Sequence, residues 1–320
     1  MPPTVSIIIP CYNGEDTISR AIESILNQTY QGFEIIIVND SSTDNSEEVI
    51  QNYQKKDKRI RYIKHNINRG AGAARNTGIK NSTGRFLAFL DVDDEWLNEK
   101  LQKQVDFIEN NKDENLGVVT GGMIFVDERG RKSYWMPQTK NNILTKLLKT
   151  GGIIVGGPSS SLMKKVVFDK CGLYDESHEL RNKQDYEMCI RIAQNFKFDF
   201  IKEYLVKCYS LKKGITYTST VSNPIKGVNS SLYILDKYKF LIIKDYISYS
   251  NHLKYIGIQY CWAGLMQKSR KYLLKSVKFY QKNFSAYLYI LLTFLGKNIG
   301  RIISLKIGLL YKYIQIRYFM

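Results

Sequence analysis

The stretch Phe86-Leu-Ala-Phe-Leu-Asp91-Val-Asp93-Asp94 sets five apolar residues directly against three carboxylates. An apolar run without polar alternation suits a strand buried on both faces of a parallel sheet, and the carboxyl end of such a strand is where open α/β sheets bind ligands. Three carboxylates crowded there repel one another. A hard divalent ion carrying phosphate oxygens would offset that repulsion, since Mg²⁺ and Mn²⁺ favour one or two carboxylates plus substrate phosphates. Asp-x-Asp alone is a weak signal, and the same residues also read as a solvated acidic turn capping the helix that follows Trp96.

Outward from this stretch, strand and helix patterns alternate. Val5–Ile9 reads as a strand, and Thr17–Asn27 as a helix with Ile18, Ala21, Ile22, Ile25 and Leu26 on one face; Phe33–Val38 is the next strand. A polar helix after Asp44 runs to Lys56, followed by a strand over Ile60–Lys64, a helix over Ala71–Asn81 and the strand Phe86–Leu90. A helix over Asn98–Asn111 and a strand over Gly117–Phe125 come next. This order predicts an α/β fold, a doubly wound, mainly parallel, Rossmann-like sheet with right-handed crossovers. The loop after the first strand, Pro10-Cys-Tyr12-Asn13-Gly-Glu15-Asp16, holds neither G-x-G-x-x-G nor G-x-x-x-x-G-K-[ST]. A dinucleotide-dependent dehydrogenase and a P-loop ATPase are therefore disfavoured. Tyr12 can stack on a base and the Asp40 carboxylate can accept from an imide N–H, although both residues also suit turns.

Of 320 residues, 44% are hydrophobic and 24% charged, enough to bury one large core or two smaller ones. The five cysteines are widely spaced with no C-x-x-C pair, which argues for a reducing compartment and against a disulfide framework or a zinc site. Met-Pro-Pro-Thr carries no signal-peptide pattern, so none is expected. Charge is uneven: residues 226–320 hold 16 Lys or Arg against Asp236 and Asp245, a net of +14 out of +17. There the pattern turns helical, over 228–246, 252–272 and from 273 onward. The most apolar piece, Phe284–Leu295, is bounded by Lys282 and Lys297 at 14 residues, short of the ~20 that span a bilayer. Lysines between Leu, Ile and Tyr fit basic amphipathic helices on an anionic membrane surface; the alternative is a helical bundle with a lysine-rich solvated face. A nucleic-acid binder would interleave Arg with aromatics, and this Lys-rich, apolar tail does not, so no nucleic-acid partner is expected.

Five blocks in combination carry a resemblance. They are Val5-Ser-Ile-Ile-Ile-Pro10-Cys-Tyr-Asn13, Ala21-Ile-Glu-Ser-Ile-Leu-Asn-Gln-Thr29-Tyr, Glu34-Ile-Ile-Ile-Val-Asn-Asp40-Ser-Ser-Thr-Asp44, Asn68-Arg-Gly70-Ala-Gly-Ala-Ala-Arg75-Asn-Thr-Gly78 and Phe89-Leu-Asp91-Val-Asp93-Asp94. In order and spacing over residues 4–96 they resemble family 2 glycosyltransferases. The resemblance implies a GT-A fold, a nucleotide-diphosphate sugar donor and inversion at the anomeric carbon. It also implies a divalent metal, Mn²⁺ or Mg²⁺, at Asp93 with Asp91. It further implies that Pro10, Tyr12, Asn13, Glu15, Asp40, Arg75 and Asp91 form the donor site, with Tyr12 against the base, Asp40 on the uracil and Asp91 on the ribose or a metal water. Gly70 and Gly72 would let backbone approach the ligand, while Arg75 offsets pyrophosphate charge or pairs with a surface acid.

Downstream, the family's catalytic acid at a helix start matches Lys183-Gln184-Asp185-Tyr186-Glu187, with Gln184 standing where a Glu is usual. By the resemblance Asp185 is the general base that takes the proton of the attacking hydroxyl. Gly156-Gly157-Pro158-Ser-Ser-Ser161 resembles a flexible approach to the acceptor side, and Gly172-Leu-Tyr-Asp175-Glu176 the family's turn before the base. Gly157, Asp175, Glu176 and Gln184 are placed on that acceptor side. The expectation is a catalytic domain over 1–225, donor half 1–125 and acceptor half 126–225, followed by a basic helical region over 226–320. The enzyme would move a sugar, from a UDP-sugar in preference to a dTDP- or GDP-sugar, to a lipid-linked or polysaccharide hydroxyl at the cytoplasmic face of a membrane. A sugar-nucleotide pyrophosphorylase is the competing enzyme, but it should carry a glycine-rich, Lys/Arg-bearing loop after the first strand. A non-catalytic membrane- or nucleic-acid-binding module is the competing non-enzyme.

Overall fold

The computed structural model describes residues 3–152, 155–180, 183–209 and 223–318. They form two compact units that interleave along the chain. The first holds the described residues of 3–143, 155–176 and 188–209; the second holds those of 144–152, 177–187 and 223–318. Two short earlier segments, 144–152 and 177–187, group with the C-terminal helices.

In the first unit, β1 (Val5–Cys11) pairs in parallel with β2 (Phe33–Asn39) and with β4 (Phe86–Phe89), and β2 pairs in parallel with β3 (Ile60–Lys64). Every residue of β1, β2 and β4 is buried. That is why these strands read as largely apolar runs, with Ser6 and Glu34 buried as a hydrogen-bonded pair: both faces are covered by crossover helices. α1 (Ile18–Leu26) covers one face through Ile18, Ala21, Ile22 and Ile25. α2 (Ser46–Lys56) buries only Ser46 and Ile50, as its polar sequence requires. α3 (Ala71–Lys80) lies on β1 at short range, because a Cβ on Gly78 would meet Ile8 Cγ2 at 2.4 Å.

Beyond β4 the sheet becomes mixed. After β5 (Asp94–Trp96) and α4 (Lys100–Asn110), β6 (Leu116–Val126) pairs antiparallel with β7 (Lys132–Trp135) and β8 (Leu162–Lys164) and parallel with β9 (Lys197–Tyr209). β8 closes onto β4 and β5 onto β9, giving the order β3-β2-β1-β4-β8-β6-β9-β5. The main core joins Ile7, Ile9, Ile35, Ile37, Trp96, Leu101, Val119, Leu162 and Val206. Each such side chain stabilises the fold by about 1.5–3 kcal/mol through burial.

In the second unit, α5 (Ile143–Thr150) contributes all but its first residue, and α7 (Gln184–Ala193), which follows α6 (Val166–Cys171) in the chain, contributes its first turn. Then come α8 (Pro224–Lys237), α9 (Lys239–Ile242), α10 (Tyr246–Trp262), α11 (Met266–Phe279), α12 (Phe284–Leu292) and α13 (Gly296–Tyr318). These corrected boundaries follow from caps. Asp245 accepts from the N–H groups of Ile247 and Ser248 to start α10, and Gly264, at φ +75°, separates α10 from α11 inside the expected 252–272 helix. Ile258, Trp262, Leu273, Ala286, Tyr289 and Leu292 form a core, and Val228, Ile256 and Tyr260 a second cluster. The helical stretch Phe284–Ile307 is long and apolar enough to cross a membrane by length and composition, which corrects the 14-residue reading.

Candidate active site

The parallel strands β1, β2 and β4 end side by side, so the residues that follow them gather at one edge. After β4 the chain turns at once, with the Asp94 N–H donating to Asp91 O at 3.0 Å. The turn gives the three carboxylates different surroundings. Asp94 is buried and accepts from Ser159 Oγ at 2.5 Å; burial first, then the charges of Asp91 and Asp93, push its carboxyl well above the usual range. Asp91 accepts from Arg75 Nη2 at 2.8 Å, and its N–H donates to Ser159 Oγ at 3.1 Å. Asp93 is buried, and among the described residues its carboxylate has no ion pair and no side-chain hydrogen bond. Burial first and the Asp91 charge second push it up to about 6.

This crowding of negative charge, only part of it neutralised by Arg75, suits a hard cation with oxygen ligands. Among the described residues no group of three His, Cys, Asp or Glu side chains is arranged to hold an ion by protein alone. The solvated acidic turn proposed as the alternative does not describe Asp93 and Asp94, which are buried.

Asp40, after β2, is also buried. Its Oδ1 accepts from the Arg69 N–H at 2.9 Å and lies 2.7 Å from His65 Nδ1, and its Oδ2 accepts from the Gly70 N–H at 2.6 Å. His65 Nε2 lies 2.9 Å from Thr77 Oγ1. Asp40 thus shapes the 68–70 segment that leads into α3, where Gly70 takes φ +92°. Tyr12 is about half exposed beside it, while Pro10 is buried within β1 opposite Val38. Asn13 and Glu15 latch the loop after β1 to the loop after β2. Asn13 Oδ1 accepts from the Thr43 N–H at 2.8 Å, and Glu15 Oε2 accepts from the Asn45 N–H at 2.9 Å.

The Gly172–Glu176 turn is clamped to α3. Asn76 Nδ2 donates to Tyr174 O and to Glu176 Oε1, each at 2.8 Å, and Arg69 Nη2 donates to Glu176 Oε2 at 2.8 Å. Asp175 between them is half-buried. The 156–161 segment is not the flexible approach expected. Ser159, Ser160 and Ser161 are buried in a 3₁₀ turn whose Gly157 carbonyl accepts from Ser160 Oγ and Ser161 Oγ, both at 3.0 Å. Ser159 underpins the acidic turn instead, and its carbonyl accepts from Trp96 Nε1 at 2.8 Å.

Three further residues join this site. Arg20 reaches from α1, donating from Nη2 to the Asp93 carbonyl at 2.7 Å and stacking 4.0 Å above the Tyr209 ring. His65 could have been placed from register alone: β2 and β3 are parallel with Asn39 opposite Lys64, so Asp40 and His65 leave their strands together. Ser159 gave no comparable signal, because its partners lie more than sixty residues away.

In the second unit, Gln184 is buried and Asp185 half-buried in the first turn of α7. That turn is held by the helical region. Glu187 is fully buried, accepts from Tyr238 Oη at 2.6 Å and pairs with Lys237 Nζ at 2.9 Å. Tyr186 Oη donates to Leu147 O at 3.0 Å. Lys183 Nζ lies 4.8 Å from the Tyr255 ring centre, and burial lowers its pKa to about 8.

Residues 6–172, which include the acidic turn, the Asp40 loop and Arg75, match the sequence pattern of Glycosyl transferase family 2. The chain belongs to that family. This family 2 glycosyltransferase is 37% identical over 224 residues to an uncharacterized glycosyltransferase of Methanocaldococcus jannaschii, covering 68% of this chain and 74% of that one. It is 32% identical over 260 residues to the UDP-Glc:alpha-D-GlcNAc-diphosphoundecaprenol beta-1,3-glucosyltransferase WfaP of Escherichia coli, covering 80% and 87%. It spans only about a third of the length of uncharacterized Rickettsia glycosyltransferases that it also matches. Among solved structures it resembles S. aureus TarS 1–349 in complex with UDP-GlcNAc, at TM-score 0.60 and 18% identity over 90% of both chains. It also resembles the mannosyltransferase PcManGT of Pyrobaculum calidifontis in complex with GDP-Man and Mn²⁺, at TM-score 0.57 and 15% identity over 98% of this chain and 88% of that one. These likenesses establish the GT-A fold. A nucleotide-sugar donor follows from the family.

Proposed function

We propose that this glycosyltransferase moves a sugar from a UDP-sugar to a hydroxyl of a lipid-linked acceptor, with inversion at the anomeric carbon. The observation that carries this reading is the buried acidic turn at the end of β4, where burial and the neighbouring Asp91 charge outweigh the nearby Arg20 and push the Asp93 carboxyl up. Asp93, with Asp91, would hold Mn²⁺ or Mg²⁺, which when bound supplies positive charge to the departing nucleotide diphosphate. Arg75 adds a fixed cation beside Asp91. Tyr12 offers an exposed ring for the base. Asp40 would meet a uracil imide through capacity left beside its three present neighbours.

Asp185, at the N-terminus of α7, would take the proton from the acceptor hydroxyl as that oxygen attacks C1 and the nucleotide diphosphate leaves. A UDP-sugar and a polyprenyl-diphosphate acceptor are favoured by the activity for which the E. coli relative WfaP is named, which this chain covers over most of its length. Work on such an acceptor would place the enzyme at the cytoplasmic face of a membrane. The pyrophosphorylase alternative is not favoured: the loop after β1 is latched down by Asn13 and Glu15 and bears no Lys or Arg.

The test is turnover of UDP-glucose, UDP-GlcNAc and GDP-mannose with Mn²⁺ and a GlcNAc-diphospho-lipid, following nucleotide release and the anomeric configuration by NMR. A product of inverted configuration from a UDP-sugar is expected. Turnover of GDP-mannose alone would reassign the donor, and a retained configuration would remove Asp185 from the base role.

A further inference from the structure

Tyr289, Leu292 and Ala286 turn one face of α12 into a core with Trp262 and Leu273. The other face is bare. Phe284, Leu288 and Leu291 are exposed at intervals of four and three residues along α12, and Leu295, Ile299 and Ile302 are exposed beyond it, all six between 45% and 77%. An apolar stripe of this length on a soluble surface calls for a covering partner. The exposed charges of α11 to α13 are of one sign: Lys275, Lys278, Lys282, Lys297, Arg301 and Lys306 are exposed, and no Asp or Glu follows Asp245 in the chain.

We propose that this stripe is the surface by which the protein docks on an anionic phospholipid bilayer, lying in the headgroup plane. A second copy of the chain would bring two basic rims together and repel, whereas anionic headgroups neutralise the same rim. A spanning orientation conflicts with the packing. The buried face of α12 belongs to the helical core, and Gly296 at φ +82° breaks the helix midway through the apolar stretch, with Lys297 and Arg301 directly after it. Lysine stems can lie along the apolar band while their ammonium groups reach the phosphates. The proposal is independent of the donor site.

Co-sedimentation of the full chain with phosphatidylglycerol-containing vesicles, without any nucleotide sugar, tests it. Binding is expected that weakens at high salt and persists in part, and that alkali reverses. Changing Leu291→Glu and Ile299→Glu, both more than half exposed, should lower partitioning by roughly tenfold or more, since each removes an apolar anchor and adds a repelled charge. Ile67→Glu, an equally exposed position in the first unit, should leave it unchanged. Cooperative melting confirms that each variant is folded. Equal binding by the double variant, no binding by the parent, resistance to alkali, or a dimer that the double variant splits would each overturn the proposal. Failure here leaves UDP-sugar turnover untouched, so the two readings are separable.

Discussion

Asp93 is where burial and charge meet most directly. Its folded pKa of about 6 lies above the ordinary carboxylate value of about 4. The folded state therefore binds more protons than the unfolded one between those values, and ionising Asp93 costs stability as pH rises from about 4 to about 6. A divalent cation takes the ionised carboxylate, so its stabilising effect should run the opposite way, growing across the same window and levelling above it. We expect the rise in melting temperature given by Mn²⁺ to increase between about pH 5 and pH 7 and to vanish in Asp93→Asn, which should also lose transfer. A Mn²⁺ shift that ignores pH, or that survives in Asp93→Asn, would refute the assignment. Asp185 makes a different prediction: Asp185→Asn should lower kcat by roughly 10²–10⁴ while the dissociation constant for the UDP-sugar stays within a factor of about two, the signature of a lost general base. Weakened donor binding would move Asp185 to the donor site. At this scale the sequence made Asp91, Asp93 and Asp40 visible, with tasks implied by the resemblance, but not their surroundings. Burial and the Ser159 contact separate Asp94 from Asp93, and both depend on residues far away in the chain.

At the scale of elements, the apolar runs located β1 to β4 and their helices within a residue or two, because strands covered on both faces need no alternation to be recognised. β9 escaped the same reading for a physical reason. It is long and only partly buried, and its pairing with β6 slips register around Gly121 and Gly122, which breaks the two-residue period. The breaks between the C-terminal helices were hidden too, since they rest on a positive φ at Gly264 and on the Asp245 cap rather than on a loss of hydrophobic pattern. The Asn68–Gly78 block was legible as a motif, and the structure explains its last residue. Gly78 lets α3 approach β1, where an added methyl would press on Ile8 at 2.4 Å. In an open helix Gly→Ala gains about 0.5–1 kcal/mol, whereas overpacking a central strand costs about 1–3 kcal/mol, so the clash should prevail. Gly78→Ala is expected to lower stability by about 1–2 kcal/mol in a denaturant titration. A gain in stability would show that α3 can move away from the sheet freely.

For the whole molecule, composition suggested a catalytic domain followed by a detachable basic tail. The structure ties that region to the first turn of α7: Lys237 at the end of α8 and Tyr238 directly after it hold Glu187, two residues after Asp185. Glu187 is fully buried, and a hydrogen bond from the Tyr238 phenol to such a carboxylate contributes about 1.5–3 kcal/mol. Tyr238→Phe removes the phenolic donor while keeping the ring. The first turn of α7 should then loosen with little change elsewhere, since Lys237 still pairs with the carboxylate. The donor-side residues all lie in the first unit, with their own network around Asp40, Asp91 and Ser159. We therefore expect Tyr238→Phe to lower kcat several-fold and to increase hydrogen exchange over residues 183–187, while UDP-sugar affinity and its Mn²⁺ dependence stay at the parent's values. A loss of donor affinity, or exchange unchanged over that turn, would show that the C-terminal helices do not set the position of Asp185. The sequence could not have revealed this link, because Glu187 and Tyr238 each read as ordinary residues of separate helices and only the packed unit brings the buried carboxylate under the phenol.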